Sequence, residues 1–508
     1  MRILNRTFFL PVLFLLIGLA APDVFADVGG ADFSSMTKRY SGEFVPEKSA
    51  GIAVLRENIE NLRRQILKTD KTVDPVKWAE EQHTLGVILF AFEEQDFAAK
   101  SEENLWMVDA SAKPSPQSCE PCLLLLGESL SALRAALEVR TRKTAPADWA
   151  ETQFETGCVL MALGGLESGT ERLKEASTAF REALRVYNRQ KNKESWSRAQ
   201  FYLAETLQKL GNLESGDAGK EYFKKSIAGY QEVLKAYTPE NIPDEWAAIQ
   251  NNLGNTLSSL GYRDNNRKYL EKAVIAFRAA LAAVNRETKP WSWAATQNNL
   301  GNVLRAMGGK EKNKKYLEEA INAYQAALTI RTPEKDLSFW GGTQENLAGT
   351  LRSLGMLETG AAASEYLNRS VAAYRVIIEA AGREKLPVPQ AVNLLEMADT
   401  LYNQGRLEKD MAKMEEAIIT YRTGLNLLAD EVPHIVWARL LLNFANLLQV
   451  VGAQDSGTRW LEEAIAAYRK VWNAYNQIEG VTRADVILLE TGLGRAEKLL
   501  KERQAAGQ

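Results

Sequence analysis

Two amphipathic patterns alternate along most of the chain. The first opens with a tryptophan and closes with a glycine, as in WAAIQNNLGNTLSSLG at 246–261. The second follows a short polar stretch, as in AVIAFRAAL at 273–281. Both patterns place apolar residues at i, i+3, i+4 and i+7, which is typical of helices with one buried face. The sequence therefore predicts a series of paired helices, here called helix A and helix B.

The same pair recurs at nearly constant spacing. Successive copies of helix A begin 47 or 50 residues apart, and an eighth, more divergent copy begins at Trp78 with an insertion at about 95–118 between its helices. Such a pair leaves an apolar flank that only a neighbouring pair can cover, so we predict a stacked array with a continuous core. The first residues of the seven regular copies are Trp149, Trp196, Trp246, Trp293, Trp340, Gln390 and Trp437.

Glycines and the two chain ends suggest how the array is bounded. Segments 52–68 and 482–505 predict capping helices at its two ends. We also predict that the glycine closing each regular helix A is a left-handed C-cap. These glycines are Gly164, Gly211, Gly261, Gly308, Gly355, Gly405 and Gly452. The predicted organisation is a signal peptide at 1–26, an N-terminal segment with a cap at 27–77, eight repeats at 78–478, and a C-terminal cap at 479–508.

The paired helices resemble the tetratricopeptide repeat over residues 78 to about 478. Leu253 and Gly254 on helix A, with Ala273, Phe277 and Ala280 on helix B, carry the resemblance. The period exceeds the ~34 residues of the standard repeat. The phrase QNNLG on helix A, with RTPE after helix B, resembles the long bacterial repeats that often precede caspase-like protease domains, and is also similar to the repeats of kinesin light chains. The resemblance implies an all-α, right-handed superhelical solenoid of about eight helical hairpins.

Helix A carries asparagines at equivalent positions in several repeats. Asn252 and Asn255, for example, are three residues apart and so share a helix face. An asparagine amide donates and accepts hydrogen bonds, which matches the two polar groups of a peptide backbone. In proteins that the chain resembles, helix A lines the inner groove, which implies a site for an extended peptide. The alternative is that some amides only bridge neighbouring helices. The predicted peptide-binding residues are Asn252, Asn255, Asn299, Asn302, Arg305, Asn346, Arg352, Asn443 and Asn446.

Composition narrows the possible chemistry. Without residues 1–26 the chain has 60 basic and 64 acidic residues, a net charge of −4, which is unlike a nucleic-acid-binding protein. Its two histidines, His83 and His434, are too few for a multi-histidine metal centre and leave histidine-based catalysis short of candidates. We therefore predict a non-enzymatic protein with no metal and no cofactor.

The N-terminus predicts export. Arg2 and Arg6 precede an apolar run at 7–21 and a small-residue cleavage signal at 24–26. Nothing after residue 26 predicts a membrane span. The predicted location is the periplasm, with secretion beyond the cell as the alternative.

Three cysteines are consistent with an oxidising compartment. Cys119 and Cys122 form a CxxC motif before a predicted helix, and Cys158 lies in the next repeat. The expected state is a disulfide, either within the motif or from one of its members to Cys158.

Three functional hypotheses remain from the sequence. The first is a scaffold that binds an extended segment of a partner protein and supports an envelope assembly. The second is a self-assembling structural protein that forms homo-oligomers. The third is a thiol-disulfide active protein that uses Cys119 and Cys122.

Overall fold

The computed structural model describes residues 48–104, 120–167, 169–429, 435–478 and 481–506. Within these ranges the regular elements are eighteen α-helices, and no strand is present. In chain order they are α1 Lys48–Ile66, α2 Pro75–Asn104, α3 Glu120–Val139, α4 Pro146–Leu166, α5 Glu171–Ala183, α6 Lys193–Leu213, α7 Gly216–Leu234, α8 Pro243–Arg263, α9 Arg267–Ala283, α10 Pro290–Glu311, α11 Lys314–Leu328, α12 Leu337–Gly355, α13 Gly360–Arg383, α14 Pro387–Glu408, α15 Met411–Leu427, α16 Ile435–Gln454, α17 Arg459–Tyr475 and α18 Arg483–Ala506.

The helices pack in adjacent pairs that match the predicted helix A and helix B. The pairs are α2–α3, α4–α5, α6–α7, α8–α9, α12–α13, α14–α15 and α16–α17, and Gly308 of α10 lies against Leu317 of α11. The cap α1 packs on α2, and the cap α18 packs on α17. The prediction of an all-α array of about eight helical hairpins with capping helices is therefore confirmed.

The described residues form two compact units, 48–303 and 304–506, and the division falls within α10. In the first unit, Phe154, Phe180 and Leu210 belong to one apolar core. In the second unit, Tyr421 and Tyr468 belong to another. Each core consists of side chains from both helices of successive pairs, because a single hairpin cannot bury its own flanks.

The glycines of helix A are not C-caps, so that prediction is wrong. Six of the seven lie inside their helices, the seventh is the last residue of α12, and none has a positive φ. A Cβ atom at Gly164 would lie 2.8 Å from Leu173 of helix B, and one at Gly211 would lie 2.6 Å from Phe223. The glycines are therefore required because a helix B side chain packs directly on the helix A backbone.

The insertion in the first repeat is helical in its first part. Helix α2 continues to Asn104, well beyond the point at which the regular helix A ends. Residues 93–104 contain neither glycine nor proline and are rich in glutamate and alanine, which favours continued helix. The first residues of the predicted insertion therefore extend helix A of the first hairpin.

One described helix, α16, is long and apolar enough to cross a membrane by length and composition alone, contrary to the expectation from the sequence. Its mean hydropathy reaches 1.5 over an 18-residue window, of which 56% is buried inside the protein. Leu440 and Leu448 are fully buried in the core of the second unit. Packing within the array therefore accounts for the apolar character of α16.

Candidate functional site

The nine predicted peptide-binding residues all lie on helix A of their hairpins. Eight of them are half-buried, and Asn446 is exposed, so solvent reaches the whole series. The first unit holds Asn252, Asn255, Asn299 and Asn302, and the second holds Arg305, Asn346, Arg352, Asn443 and Asn446.

In the first unit, amide side chains connect neighbouring helices. The Asn299 Nδ2 atom donates a hydrogen bond to Asn251 Oδ1 at 3.2 Å, which joins α10 to α8. The Tyr230 hydroxyl of α7 donates to Gln208 Oε1 of α6 at 3.3 Å, and it also interacts with Asn252 of α8. These contacts are the kind that the bridging alternative expects, and they place the A helices of adjacent hairpins side by side.

In the second unit, two of the predicted residues belong to a network of charged groups. The Arg352 guanidinium of α12 lies 2.6 Å from the Glu396 carboxylate of α14, and it also donates to the Glu396 carbonyl at 3.3 Å. The Asp399 carboxylate accepts a hydrogen bond from the Tyr421 hydroxyl. Asn443 Nδ2 of α16 lies 3.3 and 3.4 Å from its two oxygens. The network joins three successive A helices.

The sequence analysis missed both carboxylates of this network. Glu396 lies six residues after Gln390, as Asn252 lies six residues after Trp246, and Asp399 corresponds in the same way to Asn255. Counting from the first residue of each helix A would have found them, whereas a search for asparagine could not.

Burial and neighbouring charges shift the pKa values of the ionisable groups around this network. Burial raises the pKa of Asp399 to about 6, although the charge of Arg352 opposes the change. Burial likewise raises the pKa of Glu345 on α12, which accepts a hydrogen bond from Asn393 at 2.8 Å. For Arg352, burial works against the charged form, but the Glu396 charge and its neighbours outweigh it and raise the pKa.

One aromatic residue of helix B lies at an equivalent position in each regular hairpin. Where it is phenylalanine, it covers a glycine of helix A: a Cβ at Gly157 would lie 2.6 Å from Phe180. Where it is tyrosine, polar side chains of helix A can satisfy its hydroxyl. Tyr468, for example, donates to Asn446 Oδ1 at 2.7 Å and contacts Gln449 Oε1 at 3.0 Å. Asn446 therefore helps to hold helix B in place.

A buried carboxylate occupies the equivalent position on α4. Glu155 lies six residues after Trp149 and is only 4% exposed. Burial raises its pKa to about 7, although the charge of Arg198 on α6 lowers it, and Glu151 one turn earlier raises it further. No described residue donates a hydrogen bond to the Glu155 Oε1 atom. The sequence analysis did not identify this residue, for the same reason that it missed Glu396.

The cysteine and histidine predictions are only partly within the described residues. Cys119 and His434 lie outside them, so the disulfide stays a prediction. Cys122 is half-buried in α3, and Cys158 is buried in α4. His83 is buried, its Nδ1 atom lies 3.2 Å from a threonine hydroxyl, and burial lowers its pKa to about 3. No cluster of three or more potential metal ligands occurs in the described part of the chain.

A family model described as a tetratricopeptide repeat matches residues 246–283 and 293–333. These segments cover the hairpin α8–α9 and the next predicted repeat along the chain. The match confirms the resemblance seen in the sequence. No curated protein matches the chain.

Several solved structures are similar to the chain. TTC0263, a thermophilic TPR protein in Thermus thermophilus, is 20% identical over 48% of this chain and 99% of its own, with a TM-score of 0.29. PH0952 from Pyrococcus horikoshii, a signal transduction ATPase with a tetratricopeptide repeat sensor, is 14% identical over 75% and 54%, with a TM-score of 0.38. A Rap protein complexed with Competence and Sporulation Factor is 13% identical over 84% and 98%, with a TM-score of 0.32. With sequence identities of 20% or less and TM-scores below 0.4, none of the three structures bears on the function of this chain.

Proposed function

We propose that this chain, which is a tetratricopeptide-repeat protein, is an exported scaffold that binds an extended segment of a partner protein and supports assembly of an envelope complex. Tetratricopeptide-repeat proteins are generally non-enzymatic scaffolds for protein interaction, and the fold indicates that general role here. The exported location, the extended segment and the envelope complex are the parts that belong to the proposal.

The row of amides on adjacent A helices supports the proposal most directly. The contact between Asn299 and Asn251 puts the A helices of two successive hairpins next to each other. Asn252, Asn299 and their equivalent in the second unit, Asn346, are half-buried, so each contacts the protein and still faces solvent. An extended chain offers backbone N–H and C=O groups at regular intervals, and amides that recur from helix to helix can bind both.

Export rests on residues 1–26, which lie outside the described ranges. We expect the full-length chain with a C-terminal tag to appear in the periplasmic fraction, shortened at its N-terminus. Mass spectrometry of that fraction gives the first residue of the mature protein. A chain that stays unshortened in the cytoplasm would contradict the export part of the proposal and leave the binding part intact.

Capture of partners from an envelope extract tests the binding proposal. We would compare the immobilised wild-type protein with a variant in which Asn252, Asn299 and Asn346 are changed to alanine. Each lost hydrogen bond is worth about 1 kcal/mol, so three weaken binding roughly a hundredfold. A matched control changes three exposed asparagines of helix B to alanine, at Asn322, Asn426 and Asn473.

The expected result is a partner that the wild-type protein and the helix B control retain and the helix A variant loses. Circular dichroism confirms that all three proteins are folded. A partner retained equally by all three would place binding away from the A helices and refute the proposal. Complete absence of partners would also refute it, and light scattering would then test self-assembly.

A further inference from the structure

The A helices of the first unit are not uniform in their polar residues. On α8 and α10 the positions six residues after the tryptophan are amides, Asn252 and Asn299. On α4 the same position holds the carboxylate of Glu155, and Glu151 precedes it by one turn. Side chains four residues apart lie on the same face of a helix, so α4 has two acidic groups on the face where α8 and α10 each have one amide, at Asn252 and Asn299.

Glu155 is poorly compensated inside the protein. It is 4% exposed, and its Oε1 atom accepts no hydrogen bond from any described residue. A buried, ionised carboxylate with no donor to one of its oxygens costs more free energy than a neutral amide at the same position. Its presence therefore calls for a donor that the described part of the chain does not supply.

The described cation whose charge acts on Glu155 does not meet this need. Arg198 of α6 lies over the Phe154 ring, with its guanidinium carbon 4.8 Å from the ring centroid. It lowers the pKa of Glu155 through its charge only and donates no hydrogen bond to Oε1. Arg198 supplies one positive charge, whereas Glu151 and Glu155 supply two negative charges when both are ionised, so these three side chains then carry a net negative charge.

The other groups that face Glu155 are weak compensators. Tyr187, in the segment after α5, interacts with both carboxylates, with Arg198 and with Cys158 on α4. His83 of α2 and Arg140, the residue after α3, both contact the Thr152 hydroxyl of α4, at 3.2 and 3.1 Å. Neither donates a hydrogen bond to the buried Glu155 Oε1 atom.

We propose that Glu151 and Glu155 bind a basic side chain, lysine or arginine, of the partner segment that lies along the A helices. The half-buried Glu151 meets the cation first, and the long stem of the side chain brings its N–H donors to Glu155 Oε1. This inference rests on the proposed function and adds a charge requirement to it. The partner segment carries a basic residue over α4 and uncharged residues over α8 and α10.

A positional peptide array tests this requirement. The array displays dodecapeptides of glycine, alanine, serine and glutamine in which one fixed position carries lysine, arginine, norleucine or aspartate. The proteins are the wild type, a variant with Glu151→Gln and Glu155→Gln, and a control with Glu171→Gln and Glu221→Gln. The control removes the same charge from exposed sites on B helices, where the side chains are 84% and 54% exposed.

We expect the wild type and the control to prefer lysine or arginine over norleucine about tenfold at one position. The Glu151/Glu155 variant loses that preference and keeps its binding to the uncharged peptides. Because a cation binds the ionised carboxylate and the pKa of Glu155 is about 7, the preference falls about tenfold from pH 8 to pH 6 in the wild type.

Two results would overturn the inference. A basic preference that survives in the Glu151/Glu155 variant, or that does not change between pH 8 and pH 6, refutes the role of these carboxylates and leaves the scaffold proposal standing. Failure of all three proteins to retain any peptide refutes the scaffold proposal, and this inference falls with it.

Discussion

Replacing Glu155 with glutamine should stabilise the protein, and the gain should depend on pH. Glutamine has nearly the same shape as glutamate and is always neutral. The wild-type carboxyl group, by contrast, is either ionised in a buried site or protonated at a pH above its ordinary pKa. The difference between the two proteins therefore isolates the free energy of burying that charge.

The size of the effect follows from the pKa of Glu155. Its ordinary value is 4.5, and burial raises it to about 7 in the folded protein. The folded state therefore holds the proton more tightly than the unfolded state, so folding stability falls as pH rises from 4.5 to 7 and is constant above that range. The two pKa values differ by an amount worth about 3 kcal/mol of unfolding free energy.

Urea unfolding followed by circular dichroism at pH 4 and pH 8 measures this difference. We expect the Glu155→Gln variant and the wild type to agree at pH 4, where both side chains are neutral. At pH 8 the variant should be more stable by about 3 kcal/mol. Hydrogen exchange of α4 amides provides a local measurement, because a repeat array can unfold in several steps.

The control for this experiment is Glu171→Gln on α5, whose side chain is 84% exposed and paired with Lys174. Exposed ion pairs contribute little, so this variant should differ from the wild type by less than about 1 kcal/mol at either pH. A Glu155→Gln variant that is less stable than the wild type at pH 8, or equally stable at both pH values, would refute the account of a poorly compensated carboxylate.

Three further predictions concern the stability of the array, each measured by urea unfolding. Gly164→Ala should destabilise the protein by about 1–3 kcal/mol because the new Cβ atom meets the Leu173 side chain of helix B. The neighbouring Gly165→Ala, which has open space around it, should stabilise the protein by about 1 kcal/mol. Equal effects of the two substitutions would refute the packing role of Gly164. Lys409 has a φ of 56°, and Asn265 has a φ of 51° at the equivalent position of its own repeat. Asparagine adopts this left-handed conformation more readily than lysine, so Lys409→Asn should stabilise the protein by about 1 kcal/mol. A loss of stability would contradict backbone strain at Lys409. Tyr468→Phe should cost about 1 kcal/mol because it removes a hydroxyl bonded to helix A; no change would show that the bond adds nothing.

The helices and their pairing were predictable from the sequence because the relevant signal is local and periodic. A helix needs only its own apolar spacing, and the recurrence from Trp149 onwards gives the repeat. The glycine prediction failed because the same residue serves two physical purposes. A glycine near the end of a helix can adopt a positive φ, or it can admit a side chain from another helix, and only the packing at Gly164 and Leu173 tells them apart.

The candidate site was predictable only in part. The sequence identified amides such as Asn252 by residue type, and the structure puts them on adjacent A helices. The sequence could not show that Asn443 contacts Asp399, or that the Tyr468 hydroxyl donates a hydrogen bond to Asn446, because these pairs join residues far apart in the chain. The poor compensation of Glu155 depends on which donors lie near it, and no pattern along the chain encodes that.

The dissociation constant of the captured partner tests the central claim most directly. It would be measured by calorimetry for the wild type, the helix A variant at Asn252, Asn299 and Asn346, and the helix B control. The account predicts a roughly hundredfold increase for the helix A variant and no change for the control. Equal dissociation constants for all three proteins would contradict the claim that the A helices bind the partner.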